Sequence, residues 1–164
     1  MTRVTMICSG NICRSPMAEI ILRHLLDEAG VDSVDVDSAG IGDWHIGEGA
    51  DPRTVAVLQR HGYDGSAHRA SQFDASTFAS YDLVLAADRG HVRALQRGAR
   101  TDADRAKIRL LREYDPEAVA AGTLELDDPW YGGTADFERC LSEVEAACRG
   151  LASELQRDLD RASS

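Results

Sequence analysis

Apolar positions along this chain follow two rhythms in turn. Val4–Ile7 is a short apolar run of the kind a buried strand makes, and Val34–Ser38, Leu83–Ala87 and Ile108–Leu111 are three more. Between them the spacing lengthens. Met17, Ile20, Ile21 and Leu25 fall on one helical stripe, with Ser15 as the expected N-cap, Pro16 at the first helical position and Gly30 as the stop. Asp51-Pro52 opens a second helix, with Val55 and Leu58 on its apolar face and Gly62 closing it. Residues 74–80 and 90–97 predict two further short helices, whereas residues 112–134 have no clear period. The strongest signal comes last: Phe137, Leu141, Val144, Cys148, Leu151, Leu155 and Leu159 recur at steps of four and three. Strands alternating with helices predict an α/β fold, a three-layer sandwich with a four-stranded parallel sheet flanked by helices.

A chain of 164 residues that is 43% hydrophobic suits one Rossmann-like domain, expected over residues 1–160, with 161–164 as a disordered tail. No apolar run approaches the roughly 20 residues of a membrane helix. The opening Met1-Thr2-Arg3-Val4 is too short and polar for a signal peptide, so a cytoplasmic location is expected, with signal-independent export left open. The net charge of −10 makes nucleic acid and acidic membrane surfaces poor partners. It also means that any attraction for an anionic ligand must be local. The expected state is a monomer. Cys8, Cys13, Cys140 and Cys148 fit neither a zinc pattern nor a disulfide framework, and the five histidines show no metal spacing. No metal or cofactor is expected.

One segment stands apart from this pattern. Cys8-Ser9-Gly10-Asn11-Ile12-Cys13-Arg14-Ser15 joins the first strand to the first helix. A loop there aims backbone N–H groups into a concavity at a helix N-terminus, which binds anions. Thiols at helix N-termini or beside cations ionise at about 3.5–7.5, against about 8.5 for a free thiol. Cys8 meets both conditions, which makes it a candidate nucleophile toward a phosphate monoester. Arg14 offers planar, bidentate hydrogen bonds to two phosphoryl oxygens. The N–H groups of Ser9, Gly10, Asn11, Ile12, Cys13 and Arg14 would hold the remainder, more tightly as charge develops. Gly10 is expected to take a backbone angle that other residues resist, and Asn11 to visit the left-handed region. Ser15 is placed to donate to the Cys8 sulfur and ease its departure. A buried cysteine beside an ordinary turn would explain Cys8 alone, but not the full spacing through Pro16.

The segment Cys8–Pro16 resembles the signature loop, Cys-x5-Arg-Ser, of the low-molecular-weight protein tyrosine phosphatases of bacterial type. Ser38-Ala39-Gly40 is similar to that family's Ser-Ala-Gly segment, and Asp127-Asp128-Pro129-Trp130-Tyr131-Gly132 to its late Asp-Pro-aromatic loop, with Asp136-Phe137-Glu138 following. The resemblance implies hydrolysis of phosphotyrosine in protein substrates through a phosphocysteine on Cys8. Of three Asp-Pro pairs, Asp51 reads as a helix cap and Asp115 as a turn residue; the resemblance puts the general acid on Asp128. Trp44 and Tyr131, with Trp130, are the expected pocket walls, and Ile12 part of the floor. Many relatives have two tyrosines where this chain has Trp130-Tyr131. The family counterpart of Ser38 implies that it supports Asn11.

Cys13 is a candidate to close a reversible disulfide on an oxidised Cys8. His68 is expected to pair with a buried carboxylate, and Cys140 and Cys148 to be core. Three other functions compete with this one. Phosphoarginine-directed relatives carry threonine between Asn and Cys, where this chain has Ile12. Thioredoxin-coupled arsenate reductases need a further cysteine pair after the third strand, and residues 82–100 contain none. A phosphate-binding module without turnover would need neither thiolate nor acid, yet Cys8, Arg14, Ser15 and Asp128 are all present.

Overall fold

The computed structural model describes residues 1–163. Four strands form one parallel sheet: β1 (Thr2–Cys8), β2 (Val34–Gly40), β3 (Leu83–Ala86) and β4 (Ile108–Leu110), in the order β2-β1-β3-β4. β1 is central, and its residues alternate between two cores as a pleat requires. Val4, Met6 and Cys8 face one core, packed by α1 (Arg14–Glu28), α2 (Pro52–Arg60) and α6 (Thr134–Ala162). Ile7 faces the other, with Phe78, Val84, Ala86, Leu110 and Leu95 of α3 (Arg89–Gly98). This is the expected three-layer α/β sandwich.

The boundaries moved for physical reasons. Ser15 is not an N-cap: α1 begins at Arg14, and Cys13 caps it without a side-chain bond. The buried face of α1 is also rotated from the expected stripe. Met17, Ala18, Ile21, Leu22 and Leu26 are buried, while Ile20 and Leu25 are only partly so. Asp51 caps α2 as expected, accepting from Arg53 N–H at 2.9 Å, with Pro52 in the first turn. The segment at 74–80 is a 3-10 helix, Ala75–Ser80, capped by Asp74.

Two short helices escaped the periodicity, α4 (Asp102–Ala106) and α5 (Pro116–Ala121). Each is too brief to show a stripe, and each is set by its cap, Thr101 or Asp115. α6 buries Phe137, Leu141, Val144, Cys148, Leu151 and Leu155, but Leu159 is only half-buried. The expected tail is helical through Ala162 with Ser163 as the cap residue; Ser164 lies outside the described residues. Among the described residues no helix is long and apolar enough to cross a membrane.

All four strands are parallel, so their carboxyl ends open onto one edge of the sheet, where ligands of open α/β sheets collect. β1 ends at Cys8 there, β2 at Gly40 and β3 at Ala86, and Cys8 pairs in register with Gly40.

Candidate active site

The loop after β1 wraps around the start of α1, and Asn11 holds it in shape. Asn11 has φ +60° and is fully buried. Asn11, a residue type that tolerates it, thus takes the left-handed conformation expected of it, whereas Gly10 does not have a positive φ. The glycine that sterics require is Gly40, where a Cβ would lie 2.7 Å from Ser9 O and 3.1 Å from Asn11 N. That explains why the segment after Ser38 ends in glycine: β2 must let the loop pass.

Every polar atom of Asn11's side chain is engaged. Nδ2 donates to Ser15 Oγ at 2.8 Å and to Ser38 Oγ at 2.9 Å, and Oδ1 accepts from Ser71 N–H at 3.0 Å. Ser38 in turn donates to Glu19 Oε1 at 2.6 Å, and Glu19 pairs with Arg23 at 2.6 Å. Ser38 thus holds Asn11 as expected. Glu19 and Ser71 are supports that the chain pattern does not mark, because carboxylates and loop serines are ordinarily solvated. His68 does not pair with a carboxylate; its Nε2 contacts the Asn11 carbonyl at 2.7 Å.

Because Ser15 Oγ accepts from Asn11, its own hydrogen is free for the sulfur, and Cys8 Sγ lies 2.9 Å away. Arg14 is aimed from behind. Its Nη1 donates to Asp88 Oδ2 and to the Leu126 carbonyl, both at 2.9 Å. Its Nη2 faces the cavity, 3.4 Å from Ser9 Oγ and 3.6 Å from Asp128 Oδ2. Burial disfavours the Arg14 charge, but Cys8, Asp128 and Asp88 outweigh it and hold the guanidinium above its usual range. Burial likewise opposes the Asp88 charge, yet His91 and Arg14 keep its carboxyl below the usual range. Burial pushes the Cys13 thiol up to about 12, which leaves it protonated.

The three Asp-Pro aspartates all cap helices, so capping does not separate them. Position does. Only Asp128 shares a cavity with Cys8, one of about 340 Å³ whose walls also include Ile12, Arg14, Trp44, Trp130 and Tyr131. Asp128 Oδ1 accepts from Trp130 N–H at 3.1 Å, fixing the carboxylate at the rim. Arg53 of α2 steadies this rim from outside, donating to the carbonyls of Trp130 (3.2 Å) and Gly132 (3.3 Å) and lying over the Phe137 ring. A larger cavity of about 440 Å³ lies behind the loop, near Ser38, Ser71 and Tyr81. It contains no thiol and does not include Arg14, so the smaller one is the candidate active site. Among the described residues no cluster of side chains could hold a metal ion.

The site brings together Cys8, Arg14, Ser15 and Asp128, with Asn11 and Ser38 behind them and the aromatic walls in front. The residues missed were Asp88 and His91, at the end of β3 and the start of α3, together with Glu19, Ser71 and Arg53. Asp88-x-x-His91 after an apolar run has the spacing of a helix cap and its N3 partner, and the carboxyl-end rule would have put it beside the loop.

Residues 3–161 match the family described as low molecular weight phosphotyrosine protein phosphatase. A low molecular weight protein-tyrosine-phosphatase of Streptomyces coelicolor is 55% identical over 159 residues, 96% of each chain. Low molecular weight protein-tyrosine phosphatase A of Mycobacterium tuberculosis is 43% identical over 149 residues, 90% of this chain and 88% of that one. Among solved structures, a protein tyrosine phosphatase from Entamoeba histolytica superposes with a TM-score of 0.89 at 28% identity, covering 96% of this chain and 99% of that one. Vibrio vulnificus Wzb in complex with benzylphosphonate superposes with a TM-score of 0.80 at 27% identity, covering 93% and 98%.

Proposed function

The chain belongs to the low molecular weight phosphotyrosine protein phosphatase family and is a protein tyrosine phosphatase; on that premise we propose how its residues divide the reaction. The phosphoryl group of a phosphotyrosine side chain enters the loop with its non-bridging oxygens on the backbone N–H groups of residues 9–14 and on the Arg14 guanidinium. The Cys8 thiolate attacks phosphorus in line. The S–P bond forms, the bond from phosphorus to the tyrosyl oxygen breaks, and Asp128 as the carboxylic acid gives its proton to the leaving oxygen. Asp128, now a carboxylate, takes a proton from water as that water attacks phosphorus. The S–P bond breaks, phosphate leaves, and the Ser15 hydroxyl receives the thiolate.

The observation that carries this is the sharing of one cavity by Cys8, Arg14 and Asp128, with a hydroxyl on the sulfur at 2.9 Å. Trp44, Trp130 and Tyr131 are apolar walls for an aryl ring, and the benzylphosphonate of the Vibrio relative has the shape of such a ligand. Ile12 in the wall supports phosphotyrosine over phosphoarginine. Cys13 is proposed as the protecting thiol: once peroxide has converted Cys8 to a sulfenic acid, Cys13 condenses with it to a disulfide and water is released.

The test compares phosphotyrosine, phosphoserine and phosphoarginine peptides as substrates of wild type and Cys8→Ser. Preference for phosphotyrosine, abolished in Cys8→Ser, is the expected result. Preference for phosphoarginine would reject the selectivity, and activity in Cys8→Ser would reject the nucleophile.

A further inference from the structure

Ser9, the second residue of the loop, lines the cup beside Cys8 and Arg14. Two groups approach its hydroxyl oxygen: His91 Nε2 at 2.8 Å and Arg14 Nη2 at 3.4 Å. The other ring nitrogen of His91 decides the direction of the first contact. Nδ1 accepts from the Asp88 main-chain N–H at 3.2 Å. Asp88 Oδ1 also lies 3.2 Å from Nδ1, but only as a close approach without hydrogen-bond geometry; it accepts instead from the His91 main-chain N–H at 3.1 Å. A neutral imidazole has one ring proton, and with Nδ1 an acceptor that proton is on Nε2. Burial keeps the ring neutral by pushing its pKa down to about 4.

Nε2–H therefore donates to Ser9 Oγ, and Arg14 donates to the same oxygen. The serine's own hydrogen is turned away from both, and among the described residues no acceptor takes it.

We propose that the Ser9 hydroxyl is a side-chain ligand of the transferring phosphoryl group, donating one hydrogen bond to a non-bridging oxygen, and that His91 is the positioning residue that aims it. The proposal rests on the reading that Cys8 attacks phosphorus in this cup. It adds to a ring of backbone donors one donor whose direction is set by a histidine tautomer. Such a donor strengthens as charge gathers on the phosphoryl oxygens.

The experiment uses inorganic phosphate as a competitive inhibitor and p-nitrophenyl phosphate as substrate. Ser9→Ala is expected to weaken phosphate inhibition about tenfold and to lower kcat/KM by a similar factor. Ser9→Thr, which keeps the hydroxyl, recovers most of that loss. His91→Leu costs about threefold to fivefold alone and nothing further in the Ser9→Ala background, since both act through one hydrogen bond. Imidazole nitrogen NMR shifts read the tautomer directly, with the proton expected on Nε2 at neutral pH.

Phosphate inhibition within twofold of wild type in Ser9→Ala, additive losses in the double variant, or a proton on Nδ1 would each overturn the proposal. Cys8→Ser separates the two readings. If it is inactive while Ser9→Ala is unaffected, the serine's role is rejected and the mechanism stands. If it is active, the mechanism itself is rejected.

Discussion

The two halves of the catalytic cup are built in opposite ways. The loop from Cys8 to Ser15 is locked: Asn11, Arg14 and Ser15 are buried, and their side chains are tied to β2, to Asp88 at the start of α3 and to the segment around Ser71. The loop from Asp127 to Gly133 is open. Tyr131 is 83% exposed, and the rim is held mainly by Arg53 and one turn of 3-10 helix. The difference follows from their tasks. Charge that develops on phosphorus is stabilised best by donors already in place, because reorganising them costs activation energy. A protein substrate brings varied surroundings to its phosphotyrosine, so the side that meets those surroundings gains from latitude. The locked half should therefore govern kcat for any substrate, and the open half, Asp128 apart, should govern which substrate is favoured.

The largest loss is expected inside the locked half. Arg14→Lys keeps the charge but loses the planar fork and its ties to Asp88 and Leu126, and we expect kcat/KM to fall on the order of 10³-fold. A loss below tenfold would mean that charge alone suffices there. Asp128→Asn comes next. The residue sits on the open loop but is the proposed proton donor, and the variant's kcat for phosphotyrosine peptides should fall about 10²–10³-fold with little change in KM. Its loss should shrink for aryl phosphates with acidic phenols, whose leaving groups need no proton.

A pH experiment probes the locked half through stability. Burial pushes the His91 imidazole down to about 4 in the folded protein, from the usual 6.5. Between those values the unfolded chain binds the extra proton, so its contribution is complete above 6.5 and is lost as pH falls toward 4. We expect roughly 2 kcal/mol of stability to disappear between pH 7.5 and 5 from this residue, and His91→Gln to flatten that slope in denaturant titrations. Equal slopes would mean that the ring is not buried neutral. The smallest effect belongs to the open half. Tyr131→Ala should change KM for phosphotyrosine peptides about threefold to tenfold, differing with peptide sequence, while kcat stays within about twofold.

How much of this was legible follows the same division. Cys8, Arg14 and Ser15 could be read because loop chemistry is local: their spacing alone places a thiol, a cation and a hydroxyl around one concavity. The sheet and long α6 could be read from hydrophobic period. What is carried between elements could not. Asp88 and His91 lie more than 70 residues from Arg14, and only the parallel sheet brings β3's end beside β1's. Glu19 reads as a surface position of α1 until the structure shows Ser38 against it. Asn11 takes the left-handed angle expected of it, but Gly10 does not take the unusual angle also expected there, since a loop's path is decided by what packs around it, here Gly40.

One measurement bears most directly on the claim that the sulfur of Cys8 receives the phosphoryl group. Asp128→Ala, turned over on p-nitrophenyl phosphate, needs no acid for the first step but lacks the base for the second, so the intermediate should accumulate. Rapid quenching followed by peptide mass spectrometry should find a phosphoryl group on the peptide containing Cys8, attached at sulfur. Active enzyme with no such adduct, or with the group on another residue, would contradict the account.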